Sequence, residues 1–155
     1  MRHKSTRDAH DETDAHDDKV GRRFRMRLPS PLPEETERVM TRIIDCAMEV
    51  HKRLGPGFLE SIYEKAMCIA LAKAGLAFEC EKPIEVLYDG VALKGQRVDL
   101  VVSRLVIVEL KAVARLEPVH ERQVVSYLRT LGLRAGLLMN FQVTLLHRGL
   151  KRIVL

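Results

Sequence analysis

An α/β domain is the fold class that this sequence predicts, a mixed β-sheet flanked by helices. Three observations predict it. Two stretches with apolar residues at helical spacing come first. Runs rich in Val, Ile and Leu, bounded by turn residues, follow them. One more helical stretch lies between the third and fourth of these runs. The order is two helices, three strands, one helix and two strands, which builds a sheet covered by helices.

The first helix is expected from about Glu34 to Leu54, after Ser30-Pro-Leu-Pro33. Glu34, Glu35 and Glu37 favour the positive end of its dipole. Val39, Ile43, Ala47 and Val50 recur at helical spacing, and Gly55-Pro-Gly57 breaks the pattern. A second helix runs from about Phe58 to Ala74 and is closed by Gly75. Leu59, Ile62, Ala66, Ile69 and Ala70 are its expected core stripe.

Phe78 to Tyr88 reads as a strand in which Pro83 marks an edge or a bulge. Asp89-Gly90 is a turn signal. Strands from about Gln96 to Val102 and from Leu105 to Val113 come next. Glu117 to Leu131 reads as the third helix, with Pro118 in its first turn, and Gly132 ends it. Arg134 to Asn140 and Val143 to Leu146 are read as two short strands, with Arg152 to Leu155 extending the last.

A chain of 155 residues holds one domain plus a tail. Residues 1 to 28 are the tail: charged, poor in large apolar residues, and carrying three of the six histidines. Nothing there can bury a core, so disorder is expected. Asp8-Ala-His-Asp-Glu12 and Asp14-Ala-His-Asp-Asp18 form an imperfect repeat in which His10 and His16 could bind a metal loosely. Arg22 to Arg27 is a basic cluster that either touches phosphate or is solvated. No run approaches the roughly 18 apolar residues of a membrane span. Cys46, Cys68 and Cys80 form no Cys-x-x-Cys pair and no obvious disulfide set; Cys46 and Cys68 fall within helical apolar patterns and are read as buried free thiols, and a reducing cytoplasm is the expected location. The net charge of +5 suits a polyanionic partner.

The chemistry concentrates on Asp99, Glu109 and Lys111. Asp99 lies in the apolar run Arg97-Val-Asp-Leu-Val-Val102, and Glu109 and Lys111 close Leu105-Val-Ile-Val-Glu-Leu-Lys111. The two strands should form a hairpin. Alternation puts Glu109 and Lys111 on one face. A two- or three-residue turn brings Asp99 opposite Val108 or Glu109. In the three-residue case two carboxylates meet beside one ammonium group. Buried like charges repel, and a divalent cation with oxygen ligands is the natural partner. The bland alternatives are a solvent-facing Asp99 and an exposed Glu109–Lys111 stripe, which contributes little.

This arrangement resembles the active site of the PD-(D/E)XK nuclease superfamily. Gly57-Phe-Leu-Glu60-Ser-Ile-Tyr63 further resembles the name-giving motif of the bacterial GxxExxY proteins. The segments at 51–57, 108–111, 123–128 and 136–141 are similar to that family in the same order, from about Glu34 onward. The resemblance implies a restriction-endonuclease-like core over residues 29–155 that hydrolyses phosphodiester bonds in DNA. It implies Mg2+ or Mn2+ on Asp99 and Glu109, with Glu60 as a direct or indirect ligand and Lys111 acting on the attacking water or the phosphoryl oxygens. Gln123 and Tyr127, as Gln-x-x-x-Tyr, resemble a motif of the RecB-like exonuclease branch that supports the site; the alternative is a polar helix face with a half-buried Tyr. That branch often carries a cluster on four cysteines, which three cysteines at these spacings exclude. Gly57 is expected to serve the backbone turn. Tyr63 either orients a carboxylate or packs. Arg97 and His120 could reach a phosphate. A homodimer is compatible with the resemblance. The alternatives to a nuclease are a nucleic-acid binder or a protein-interaction module that keeps the fold.

Overall fold

Apolar residues spaced for one stripe must find a surface to cover, and the first helix does so as expected. The computed structural model describes residues 30–155; His10, His16 and the Arg22 to Arg27 cluster lie outside the described residues. Glu34–Leu54 form α1, which buries Val39, Ile43, Ala47 and Val50 together with Met40. Glu60–Lys73 form α2. Its fully buried residues are Tyr63, Met67 and Leu71; of the expected stripe, Ala66 and Ala70 pack partly buried against the core, whereas Leu59 is 75% exposed, Ile69 59% and Ile62 38%. This corrects the sequence reading. Apolar residues surround α2, so periodicity alone does not select the buried face.

Five strands make one sheet in sequence order. They are β1 (Phe78–Tyr88), β2 (Val91–Val102), β3 (Val106–Lys111), β4 (Ala135–Asn140) and β5 (Leu150–Val154). Only β3 and β4 run parallel; the other neighbours are antiparallel. A parallel pair needs a crossover, and α3 (Pro118–Leu131) supplies it. β1 is an edge strand, and its ladder shifts register between Ile84 and Val86. That agrees with the edge or bulge expected near Pro83.

Two apolar layers enclose the sheet. Leu100, Val102, Val106, Val108 and Leu110 join the core residues of α1 and α2. Val98, Val101, Ile107 and Leu138 join Val124, Tyr127 and Leu128 of α3. The central strand β3 therefore buries aliphatic side chains on both faces. Each fully buried one contributes about 1.5–3 kcal/mol, which fixes the strand firmly enough to hold a polar residue in its line.

Two more expectations are corrected. Val143 to Leu146 is no strand: a loop there enters a short 3-10 turn at Leu146–Arg148, and β5 begins at Leu150. The loop is tied down instead of paired, since the His51 ring nitrogen Nε2 lies 2.8 Å from the Val143 carbonyl. Cys68 and Cys80 are not free thiols; they form a disulfide between α2 and β1, leaving Cys46 unpaired. Packing brings the two together, which spacing does not reveal. The cysteine pattern consequently gives no support to a reducing compartment. No helix among the described residues is long and apolar enough to cross a membrane.

The fit of α3 on the sheet is close at Gly136. A Cβ there would lie 2.7 Å from Val124 Cγ1 and 3.4 Å from Leu128 Cδ1. Gly136→Ala should cost about 1–3 kcal/mol through overpacking, a loss of several degrees in Tm. An unchanged thermal unfolding curve would contradict this account of how α3 is seated.

Candidate active site

The turn between β2 and β3 decides the register left open by the sequence. Val102 pairs with Val106, and Leu100 with Val108, so three residues form the loop. Ser103 and Arg104 take positive φ, at 52° and 57°, and Leu105 N–H donates to the Val102 carbonyl at 3.0 Å. One step beyond Leu100 and Val108, Asp99 faces Glu109. The ladder ends there, and the Leu110 N–H donates to Asp99 Oδ2 at 2.8 Å. A side chain has taken a ladder position, and a cleft opens where the two strands part.

That cleft has a volume of about 310 Å3 and is lined by Glu60, Glu81, Gly95, Gln96, Arg97, Asp99, Glu109, Lys111, Gln123 and Tyr127. Seven of these belong to the expected set: Glu60, Arg97, Asp99, Glu109, Lys111, Gln123 and Tyr127. β2 and β3 bring Asp99, Glu109 and Lys111. The first residue of α2 brings Glu60, and α3 brings Gln123 and Tyr127 one turn apart.

Glu109 is the most constrained group. It is 3% exposed, and Lys111 Nζ lies 3.3 Å from its Oε1. Its Oε2 is buried with no hydrogen-bond partner. Burial, then the charge of Asp99, push its carboxyl up to about 7, with Lys111 opposing. At contact distance one unit charge is worth at most about 4 kcal/mol at an effective dielectric near 20. Asp99 and Lys111 act with opposite signs on that scale and largely offset one another, so desolvation decides the direction. Asp99 is also raised by burial, against the Leu110 N–H that favours its charged form.

The remaining expected residues lie elsewhere. Tyr63 packs: it is fully buried, with its ring stacked on Phe141 at 4.6 Å. Its hydroxyl donates to the Gly55 carbonyl at 2.7 Å and accepts from the Phe58 N–H at 3.2 Å, which braces the turn before α2. Gly57 serves that turn, with φ at 116° and its N–H donating to Gln142 Oε1 at 3.1 Å. Together they set where α2 begins and so where Glu60 stands. His120 does not line the cleft. Its Nδ1 accepts the Glu117 N–H at 2.9 Å and closes the start of α3.

Four residues that shape the site were missed by sequence reading. Glu81, Gly95 and Gln96 line the cleft, yet they sit in β1 and in the outer part of β2, where nothing in the pattern marks them. Asn140 is buried at the end of β4 and its amide bonds both Val113 N–H and Val113 carbonyl, at 3.1 and 2.8 Å. It steers the chain leaving Lys111. A polar residue ending the apolar run Leu137-Leu-Met-Asn140 was the available signal.

The raised Glu109 carboxyl has a consequence for stability. The folded protein keeps this proton up to about pH 7, whereas the unfolded chain releases it near the ordinary carboxylate value. Stability therefore falls as pH rises across that window and levels off above it. In EDTA, Glu109→Gln should be more stable than the native chain at about pH 8, by up to about 3 kcal/mol. The gap should close below about pH 5. Urea unfolding over that pH range measures it, and a gap independent of pH would contradict the assignment.

No curated protein and no solved structure matches this chain. A family model described as the PD-(D/E)XK nuclease superfamily matches residues 37–153. That match runs from the first turn of α1 into β5 and takes in the whole sheet with its cleft, so the chain belongs to the PD-(D/E)XK nuclease superfamily.

Proposed function

We propose that the protein is a divalent-metal-dependent nuclease that cleaves phosphodiester bonds in DNA. The observation that carries this reading is Glu109 Oε2, a buried carboxylate oxygen without a partner in a cleft shared with Asp99 and Lys111. A buried carboxylate oxygen left without a partner is costly, and a cation removes the cost. Among the described residues no group of three or more His, Cys, Asp or Glu is gathered as a ready cage. The donor set still fits Mg2+ or Mn2+, because Mg2+ is commonly held by one or two carboxylates and keeps several waters. Asp99 and Glu109 would hold it, with the Leu110 carbonyl and Glu60 as further oxygen donors. Bound there, the cation supplies an activated water and charge neutralisation at the phosphoryl oxygens.

The chain's own residues supply the rest. Lys111 extends from the same face as Glu109 and is 14% exposed at its side chain, placed to orient a water or to stabilise a phosphoryl oxygen. Arg97 stands at the rim, pairing with Glu81 at 3.4 Å. With both partners largely exposed this pair is weak, and the guanidinium is available to a phosphate. Gln123 holds Tyr127 beside the carboxylates. The Gly57, Glu60 and Tyr63 spacing supports placing the chain with the GxxExxY proteins within the superfamily.

The direct test is cleavage of linear, nicked, single-stranded and flapped DNA with Mg2+ or Mn2+. The native protein should cut, and EDTA should abolish cutting. Lys111→Ala should lower kcat by at least about a hundredfold with the fold and Mn2+ binding retained. Asp99→Asn should lose both Mn2+ binding by calorimetry and activity. Metal-independent turnover would refute the mechanism. Salt-sensitive DNA binding without cutting on any substrate would favour a non-catalytic binder.

A further inference from the structure

Gln96 lines the cleft beside the carboxylates and Lys111. It sits in β2 beyond the point where β3 stops pairing, so its segment is supported by β1 alone. Its Nε2 donates to the hydroxyl oxygen of Tyr127, across from α3. Gln123 Nε2 donates to the same oxygen at 2.7 Å. Tyr127 is 4% exposed, and its hydroxyl lies close enough to Glu109 and Asp99 for both charges to act on it.

A phenolic hydroxyl has one proton to give and lone pairs to receive. Two amide donors, one from β2 and one from α3, occupy the oxygen as an acceptor. With both amides donating, the hydroxyl proton is left for another acceptor, and Tyr127 lines the cleft with Arg97, Glu109 and Lys111. A neutral donor aimed into a site with several carboxylates suits an anionic oxygen on the substrate, since it adds no charge for the carboxylates to neutralise.

We propose that Gln96 is a positioning residue that, with Gln123, fixes the Tyr127 hydroxyl as a hydrogen-bond donor to a phosphate oxygen of the substrate. The phosphate part of this inference rests on the nuclease reading above; the orientation of the hydroxyl does not. Gln96 also ties the outer β2 segment to α3, so the clamp joins two elements that the sheet ladder leaves apart.

The test has one arm independent of cleavage. The chain has three tyrosines, so 13Cζ-tyrosine labelling gives a spectrum in which Tyr127→Phe identifies the Tyr127 resonance. Gln96→Leu should shift that resonance while those of Tyr63 and Tyr88 stay in place. A short DNA duplex added with Ca2+, an oxygen-seeking cation that offsets the carboxylates, should move the Tyr127 resonance in the native protein, and less in Gln96→Leu. In the cleavage arm, Gln96→Leu should lower kcat/KM by roughly tenfold, and by no more when introduced into Tyr127→Phe, because the two act as one unit. A Tyr127 resonance indifferent to Gln96→Leu overturns the proposal whether or not the protein cuts DNA. Losses that add in the double variant overturn the route through Tyr127. Failure of the native protein to cut any substrate, with the resonance shifting on Gln96→Leu and on added DNA, refutes the nuclease reading and leaves the oriented hydroxyl as a binding contact.

Discussion

Glu109 occupies a position in β3 where every neighbour along the strand from Val106 to Leu110 is buried, and the site is organised around keeping a carboxylate there. The strand cannot shed the residue by shifting register. A slip of one would turn Val106, Val108 and Leu110 away from α1 and α2, and Ile107 away from α3. The aliphatic residues on both faces thus impose a polar group on the interior. Its surroundings answer with Lys111 on the same face, Asp99 across the parted ladder, and an oxygen left open. A buried charge so placed is weak evidence for stability and good evidence for a site.

The supporting structure divides this task among three elements. The β2–β3 turn aligns Asp99 with Glu109, and the Leu110 N–H anchors the Asp99 carboxylate in that alignment. The turn before α2, braced by the Tyr63 hydroxyl and the Gly57 N–H, sets the start of the helix and with it Glu60. The capped start of α3 and its close packing at Gly136 fix Gln123 and Tyr127. Asn140 holds the backbone just past Lys111, so both ends of the Glu-Leu-Lys segment are tied. Tyr63 and His120 both serve this scaffold: the Tyr63 hydroxyl and His120 Nδ1 bond backbone groups at a turn and a cap.

Electrostatics in the cleft are set more by burial than by any one pair. Asp99 and Glu109 are both raised with desolvation as the leading cause, and Lys111 and Arg97 supply too little positive charge to balance Glu60, Glu81, Asp99 and Glu109. Such a cleft repels a polyanion until its own charge is compensated.

Sequence alone determined the elements whose signals are local. Periodicity and glycine stops located α1 and α3, runs of Val, Ile and Leu located the first four strands, and the hairpin brought Asp99 to Glu109 up to a choice of one residue. Those features depend on neighbours along the chain, which a sequence displays. Tertiary structure decided what depends on neighbours across it. It chose the turn length and hence the pairing of the carboxylates. It turned the Tyr63, Met67 and Leu71 face of α2 inward and left Leu59, Ile62 and Ile69 exposed. It joined Cys68 to Cys80, replaced the expected strand at Val143 with a loop held by His51, and carried Gln96 and Glu81 into the cleft. Gln96 is an unremarkable polar residue on a strand until α3 is laid beside it, because a hydrogen bond spanning 31 positions leaves no trace in local spacing.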